Sequence, residues 1–265
     1  MSKAHLSFTI LISLIVVVVI AYRMLRNKIA FRPFIAGTLI YVVGQRLVFP
    51  VINSFLTEYL GDILPYWILL VLRGLFDSLV VCGGYLLVDR LIFKEERNSI
   101  TAFSTGFAEG AFQTIFNYGY LILAYSLMFT YIDNGSAQEI LLAQGYTLDQ
   151  IPELIAHYES LSSLAIINIG LQGLLMIPLH TFVSCLIYQY KQTNVKKNLL
   201  YAFLILLGFN TLLVLLAMTT EVIFMIVLIL LAFAFYYVVV AIRNNPISKV
   251  YSEKDFVEHK KKNKK

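Results

Sequence analysis

Leu6–Tyr22 reads LSFTILISLIVVVVIAY, seventeen residues without a charge, closed at once by Arg23. Six consecutive β-branched residues, Ile15–Ile20, break any alternation of apolar and polar positions. A transmembrane barrel strand would alternate over ~10 residues; a continuous run of this length, close to the ~20 residues that cross a bilayer, reads as a membrane helix. Working outward, further runs of the same kind fall at Phe34–Leu56, Tyr66–Val88, Ala102–Tyr125, Leu161–Gln189, Leu199–Met218 and Val222–Ile242. The fourth stays apolar to Ile132, so its far boundary is soft. The expected fold is an all-α polytopic bundle of about seven transmembrane helices. Composition agrees: 59% of the 265 residues are hydrophobic and only 14% charged, against roughly 25% charged in an average soluble domain. A soluble enzyme, a nucleic-acid-binding domain and a disulfide-stapled secreted module are excluded.

Lys and Arg sort by loop. Eighteen of the 21 fall after the first, third, fifth and seventh spans, among them Arg23, Arg90, Lys191 and the tail run Lys260–Lys262. The alternate connections, Thr57–Pro65, Asp133–Ser160 and Thr219–Glu221, carry only acidic charge. By the positive-inside rule the N-terminus lies outside and the C-terminus in the cytoplasm. The basic pI of about 9.0 is thus a record of topology, although the tail run would also meet anionic lipid. With no small-residue cleavage site behind it, the first span reads as an uncleaved anchor. The organisation expected is one transmembrane domain over residues 1–243 and a basic tail over 244–265. Cys82 and Cys185 both fall within spans, which speaks against a disulfide.

The outer segment 133–160 contains two capping-box patterns, Ser136…Glu139 and Thr147…Gln150, each opening a short helix. The second would align Leu148, Ile151, Ile155 and Tyr158 on one face. That face either lies in the membrane interface or tucks over the bundle.

Ionisable residues inside a span are costly, and functional candidates for that reason. Here they are Arg46, Arg73, Asp77, Glu109 and His180, joined by neutral polar groups including Gln45, Gln113, Asn168, Gln172, Ser184 and Asn210. Asp77, Glu109, His180 and Asn210 come from four consecutive spans, ~12–17 Å from their basic ends at ~1.5 Å per residue. Arg73/Asp77, Glu109/Gln113, Asn168/Gln172 and His180/Ser184 are spaced i,i+4 and so share helix faces. Pro178 removes a backbone donor just before His180. These features predict a polar chamber walled by the third to sixth spans. A carboxylate beside an imidazole can activate water as a general base, and Asn210 can donate to an oxyanion. The bland alternative is an Arg73–Asp77 or Arg46–Asp77 ion pair and polar packing between helices. No metal-ligand spacing is present, and no metal or cofactor is expected.

The order of these features resembles the YhfC family of glutamic-type intramembrane proteases, relatives of the CAAX prenyl proteases. The resemblance rests on Gly37–Tyr41 running on to Phe49-Pro50, Arg73–Phe76, Ser104–Glu109, His180–Ser184 and Asn210, and covers most of the chain. It implies catalytic roles for Asp77, Glu109, His180 and Asn210. Arg46, Arg73, Gln113, Gln172 and Ser184 would form a supporting polar core. Asp77-Ser78 stands where the family has paired glutamates, Val81 near its arginine and Thr105 at its motif histidine. Two functions follow: a divergent peptidase cleaving a membrane-associated peptide, or a degenerate member that acts as a binding, scaffold or immunity-type protein. Expected partners are membrane lipids and a membrane-embedded peptide or protein, with no nucleic acid, in a bacterial plasma membrane.

Overall fold

The computed structural model describes residues 2–25, 31–93, 99–217 and 219–244; the basic tail beyond Asn244 lies outside them. It is 89% helical, with no strand among the described residues. Helix α1 spans Lys3–Leu25. Helix α2 (Phe31–Leu39) runs without a break through a π-helical segment, Ile40–Val48, into α3 (Phe49–Leu60). Helix α4 (Tyr66–Leu91) follows. Then α5 (Ser99–Gln113) passes through a second π-helical segment, Thr114–Gly119, into α6 (Tyr120–Asp133). The short α7 (Ala137–Ala143) and α8 (Ile151–Ser160) lead to α9 (Ser163–Thr193), α10 (Lys196–Ala217) and α11 (Glu221–Asn244).

Among the described residues, six helices are long and apolar enough to cross a membrane. The seventh expected span corresponds to α11, helical over Glu221–Asn244, of which the apolar stretch Glu221–Ala234 lies among the described side chains. The soft boundary of the fourth span resolves into one helical run, Ile100–Asp133, of 34 residues. At ~1.5 Å per residue it exceeds the ~30 Å hydrocarbon core by several turns. Its surplus end carries the α7–α8 hairpin: Ile151, Leu154, Ile155 and Tyr158 pack with Met128 and Leu141. The α8 face therefore tucks over the bundle, while Leu148 stays outside it, 61% exposed. Lys3 donates to the Glu159 carbonyl (2.5 Å), which puts the N-terminus at the same end as this hairpin.

The capping boxes form only in part. Gln150 accepts from the Thr147 N–H (3.1 Å), but α8 begins at Ile151 rather than directly after Thr147. Ser136 makes no side-chain cap; its hydroxyl donates to Asn134 Oδ1 instead (2.6 Å), closing a local turn. A side-chain cap forms at Ser162, whose Oγ accepts from Ala165 N–H (3.0 Å) at the start of α9.

Helix α9 is the centre of the bundle and is buried along most of its length, packing against α1, α4, α5, α6, α10 and α11. Between membrane helices apolar burial gives little drive, so close backbone approach through small residues decides which helices meet. Gly106 and Gly110 on α5 supply that approach. A Cβ on Gly106 would lie 2.4 Å from the His180 carbonyl oxygen, and one on Gly110 would lie 2.5 Å from that of Met176. On the opposite side of α5, a Cβ on Gly37 of α2 would fall 2.0 Å from the Thr105 carbonyl oxygen. Helix α5 is thus clamped between α2 and α9 at backbone contact.

Gly110→Ala is expected to destabilise the protein by about 1–3 kcal/mol through overpacking against a backbone that cannot yield. Gly208→Ala, where nothing lies within 4 Å of the new Cβ, should be neutral or stabilising by up to ~1 kcal/mol. Thermal unfolding of both variants in one uncharged detergent checks the contrast.

Candidate functional site

The α5–α9 crossing sets Glu109 against His180. Glu109 lies within the Gly106–Gly110 turn, and its side chain is 0% exposed. His180 Nδ1 stands 3.3 Å from Glu109 Oε2, and the imidazole is likewise buried. The approach lacks the alignment of a hydrogen bond: both carboxylate oxygens of Glu109 and Nδ1 of His180 have no hydrogen-bond partner. Buried polar atoms are nearly always partnered, and those that are not call for a functional or structural reason. One further turn along the same α9 face, Ser184 Oγ donates to the Ala102 carbonyl (2.7 Å). The His180/Ser184 stripe therefore faces α5 throughout, with its second member serving packing.

Pro178 does not open a cavity. Helix α9 continues through it, and nearby Thr114 Oγ1 reaches the Gly173 carbonyl (2.6 Å) across the helix contact. A cavity of about 30 Å³, room for roughly one water, lies nearer the basic end between Tyr85, Thr105 and Ser184. Asp77, Glu109 and His180 do not line it. Glu109 and His180 are enclosed by the packing, while Gln45, Asp77 and Asn210 beside them are only half-buried.

Asp77 forms a second centre beside the first. Gln45 Nε2 donates to Asp77 Oδ1, and Asn210 Nδ2 donates to Oδ2 (2.9 Å). The two amides arrive from the π-helical segment of the second span and from α10. Gly74, one turn before Ser78, lets α10 approach: a Cβ there would meet the Asn210 Cβ at 3.1 Å. The Asp77 charge interacts with those of His180 and Glu109, so three titratable groups from α4, α5 and α9 form one electrostatic unit. Asn210, expected to face an oxyanion, gives one of its two amide hydrogens to Asp77.

Neither arginine pairs with Asp77. Arg73 Nη2 donates to Thr57 Oγ1 on α3 (2.8 Å), while its Nε is buried without a partner. Arg46 turns the other way, donating from Nε to the Tyr41 hydroxyl (2.6 Å) and from Nη2 to the Phe116 carbonyl (2.6 Å). Gln113 Oε1 is buried and unpartnered, and Gln172 is half-buried on α9. Asn168 leaves the group altogether, donating to the Glu221 carbonyl (3.0 Å) at the start of α11.

Tyr85 belongs to the site and escapes a reading of polar residues. Its hydroxyl donates to the His180 carbonyl (3.2 Å) and interacts with Glu109. The signal available is spacing: Tyr85 stands eight residues after Asp77 on the same i,i+4 row of α4. The Gly106-x-x-x-Gly110 pattern that closes the site is also legible as a membrane-helix contact motif. Among the described residues, no three His, Cys, Asp or Glu side chains group as metal ligands. Cys82 and Cys185 are both free and buried. Compared with known protein families, curated proteins and solved structures, the chain finds no match.

A double-mutant cycle separates the pairings. Asp77→Ala with Asn210→Ala should show a coupling of about 1.5–3 kcal/mol, as for a hydrogen bond to a charged group. Asp77→Ala with Arg73→Ala should add within ~0.5 kcal/mol, as for residues that share no contact. Reversible unfolding in mild detergent reads both.

Proposed function

We propose that this protein is a divergent intramembrane peptidase of the YhfC and CAAX protease-like kind, cleaving a membrane-associated peptide in a bacterial plasma membrane. The observation that carries the reading is the buried Glu109–His180 contact, in which a carboxylate and an imidazole meet at 3.3 Å with none of the three polar atoms in an aligned hydrogen bond. Groups in that state are poised for a polar molecule brought by the reaction, such as a water and a peptide carbonyl.

In this reading Glu109 is the base. Its carboxylate takes one proton from a water whose oxygen bonds to the scissile carbonyl carbon. His180 stabilises the resulting charge distribution through Nδ1, and the same proton passes to the leaving nitrogen as the C–N bond breaks, giving a carboxylic acid and an amine. An amide nitrogen carries two N–H donors, so Asn210 and Gln45 each keep one beyond the bond to Asp77 for a developing oxyanion. Asp77 then acts as a positioning residue, holding both amides. Because Glu109 and His180 are enclosed by backbone contacts at Gly106 and Gly110, substrate and water reach them only when a neighbouring helix moves.

The same enclosure favours a second reading, a non-catalytic scaffold that holds a membrane partner: Asp77 already has both oxygens engaged. Cleavage of a co-expressed membrane-spanning reporter library separates the two. The peptidase reading predicts that Glu109→Gln and His180→Ala each lower cleavage by ~10²-fold or more while the protein remains folded and monodisperse. Unchanged cleavage in both variants would remove it. The scaffold reading instead predicts no processing and a partner that co-purifies in mild detergent.

A further inference from the structure

Arg46 is the sixteenth residue of the 30-residue helical run Phe31–Leu60, which sets it ~22 Å from either end. A cationic side chain at the centre of a span costs at least ~2.5–3.5 kcal/mol. Such charges are tolerated when a carboxylate neutralises them, when backbone carbonyls accept from them or when the side chain snorkels to the interface. Here one backbone carbonyl accepts, and among the described residues no carboxylate pairs with the charge. With the span centred in the bilayer the interface lies ~15 Å away, beyond the reach of the side chain. All the partners of Arg46 are neutral: the Tyr41 hydroxyl, the Phe116 carbonyl and the face of the Tyr41 ring, whose centroid is 5.4 Å from the guanidinium carbon.

The backbone is shaped to hold this cation. Tyr41 and Arg46 are spaced i,i+5, which in an α-helix leaves their side chains about 140° apart. The π-helical turn over Ile40–Val48, built on i→i+5 bonding, brings them onto one face. Opposite it, the second π-helical segment presents the Phe116 carbonyl to Arg46 and Asn117 to Tyr41, whose hydroxyl donates to Asn117 Oδ1 (2.8 Å). Nε and one Nη2 hydrogen are thereby fixed, and three of the five guanidinium donors remain. The residue is exposed at the lateral surface of the bundle, among exposed apolar side chains Val42, Leu47, Phe116 and Tyr120. Two π segments at one spot mark a functional feature more often than a defect.

We propose that this surface is a binding site for the carboxylate head of an apolar, membrane-dissolved ligand, with Arg46 as the charge partner and the surrounding aromatic and aliphatic surface as the seat of the chain. The forked guanidinium matches a carboxylate in two parallel bonds. A lipid phosphate is disfavoured because headgroups sit at the interface, far from mid-span. The proposal stands independently of peptidase activity.

The test is equilibrium binding of laurate, methyl laurate and dodecyl phosphate to the full chain in uncharged phosphatidylcholine nanodiscs. Laurate should bind the native protein at least ~10-fold more tightly than its methyl ester. Arg46→Gln should erase that difference, and Arg46→Lys, which keeps the charge but not the fork, should retain part of it. The ester comparison on native protein keeps the proposal testable should a variant fail to fold. Equal binding of acid and ester, or an acid preference that survives Arg46→Gln, overturns the site. Tighter binding of dodecyl phosphate than of laurate overturns the assignment to carboxylates.

Discussion

The contact between α5 and α9 through Gly106 and Gly110 is what the rest of the structure depends on. In a bilayer the tails are as apolar as the helix surfaces, so association is governed by how closely backbones can approach. Here a Cβ at either glycine would lie about 2.5 Å or less from a carbonyl oxygen of α9. That approach sets Glu109, in the same turn, against His180. A separate close approach at Gly37 brings α2 onto the other side of α5, and hydrogen bonds from Arg46 and Tyr41 join the two π-helical segments.

Charge inside the membrane is handled in three different ways. Asp77 has both carboxylate oxygens satisfied by side-chain amides from neighbouring helices. Glu109 and His180 Nδ1 face each other without an aligned hydrogen bond, and that deficit carries the peptidase reading. Arg46 is directed by a π turn onto neutral acceptors and the bundle surface, a deficit of charge rather than of hydrogen bonds.

Much of the architecture is legible in the sequence because bilayer thickness and backbone satisfaction leave few options: the apolar runs from Leu6 to Met218 map onto six long helices. The polar stratum is legible in kind, since Glu109 and His180 do meet. Azimuth is not. Arg73 and Asp77 share an i,i+4 row yet contact different helices, because a row a few ångströms wide faces both α3 and α10. Arg46 and Tyr41 become neighbours only through a π turn, which no residue pattern in Ile40–Val48 announces. Tyr85 is hidden by its composition, since a tyrosine in an apolar span is unremarkable until its hydroxyl has an address. The first outer helix loses its expected cap because Asn134 takes the Ser136 hydroxyl.

The account is tested most directly by a solid-state NMR dipolar-recoupling measurement between the 13C-labelled Glu109 carboxyl carbon and 15N-labelled His180 Nδ1 in the full chain in lipid bilayers. It predicts strong dephasing, matching a direct contact between Oε2 and Nδ1 at the observed 3.3 Å. Absence of dephasing, with native Gly106 and Gly110 in place, would show that the helix crossing does not bring the carboxylate to the imidazole and would contradict the account.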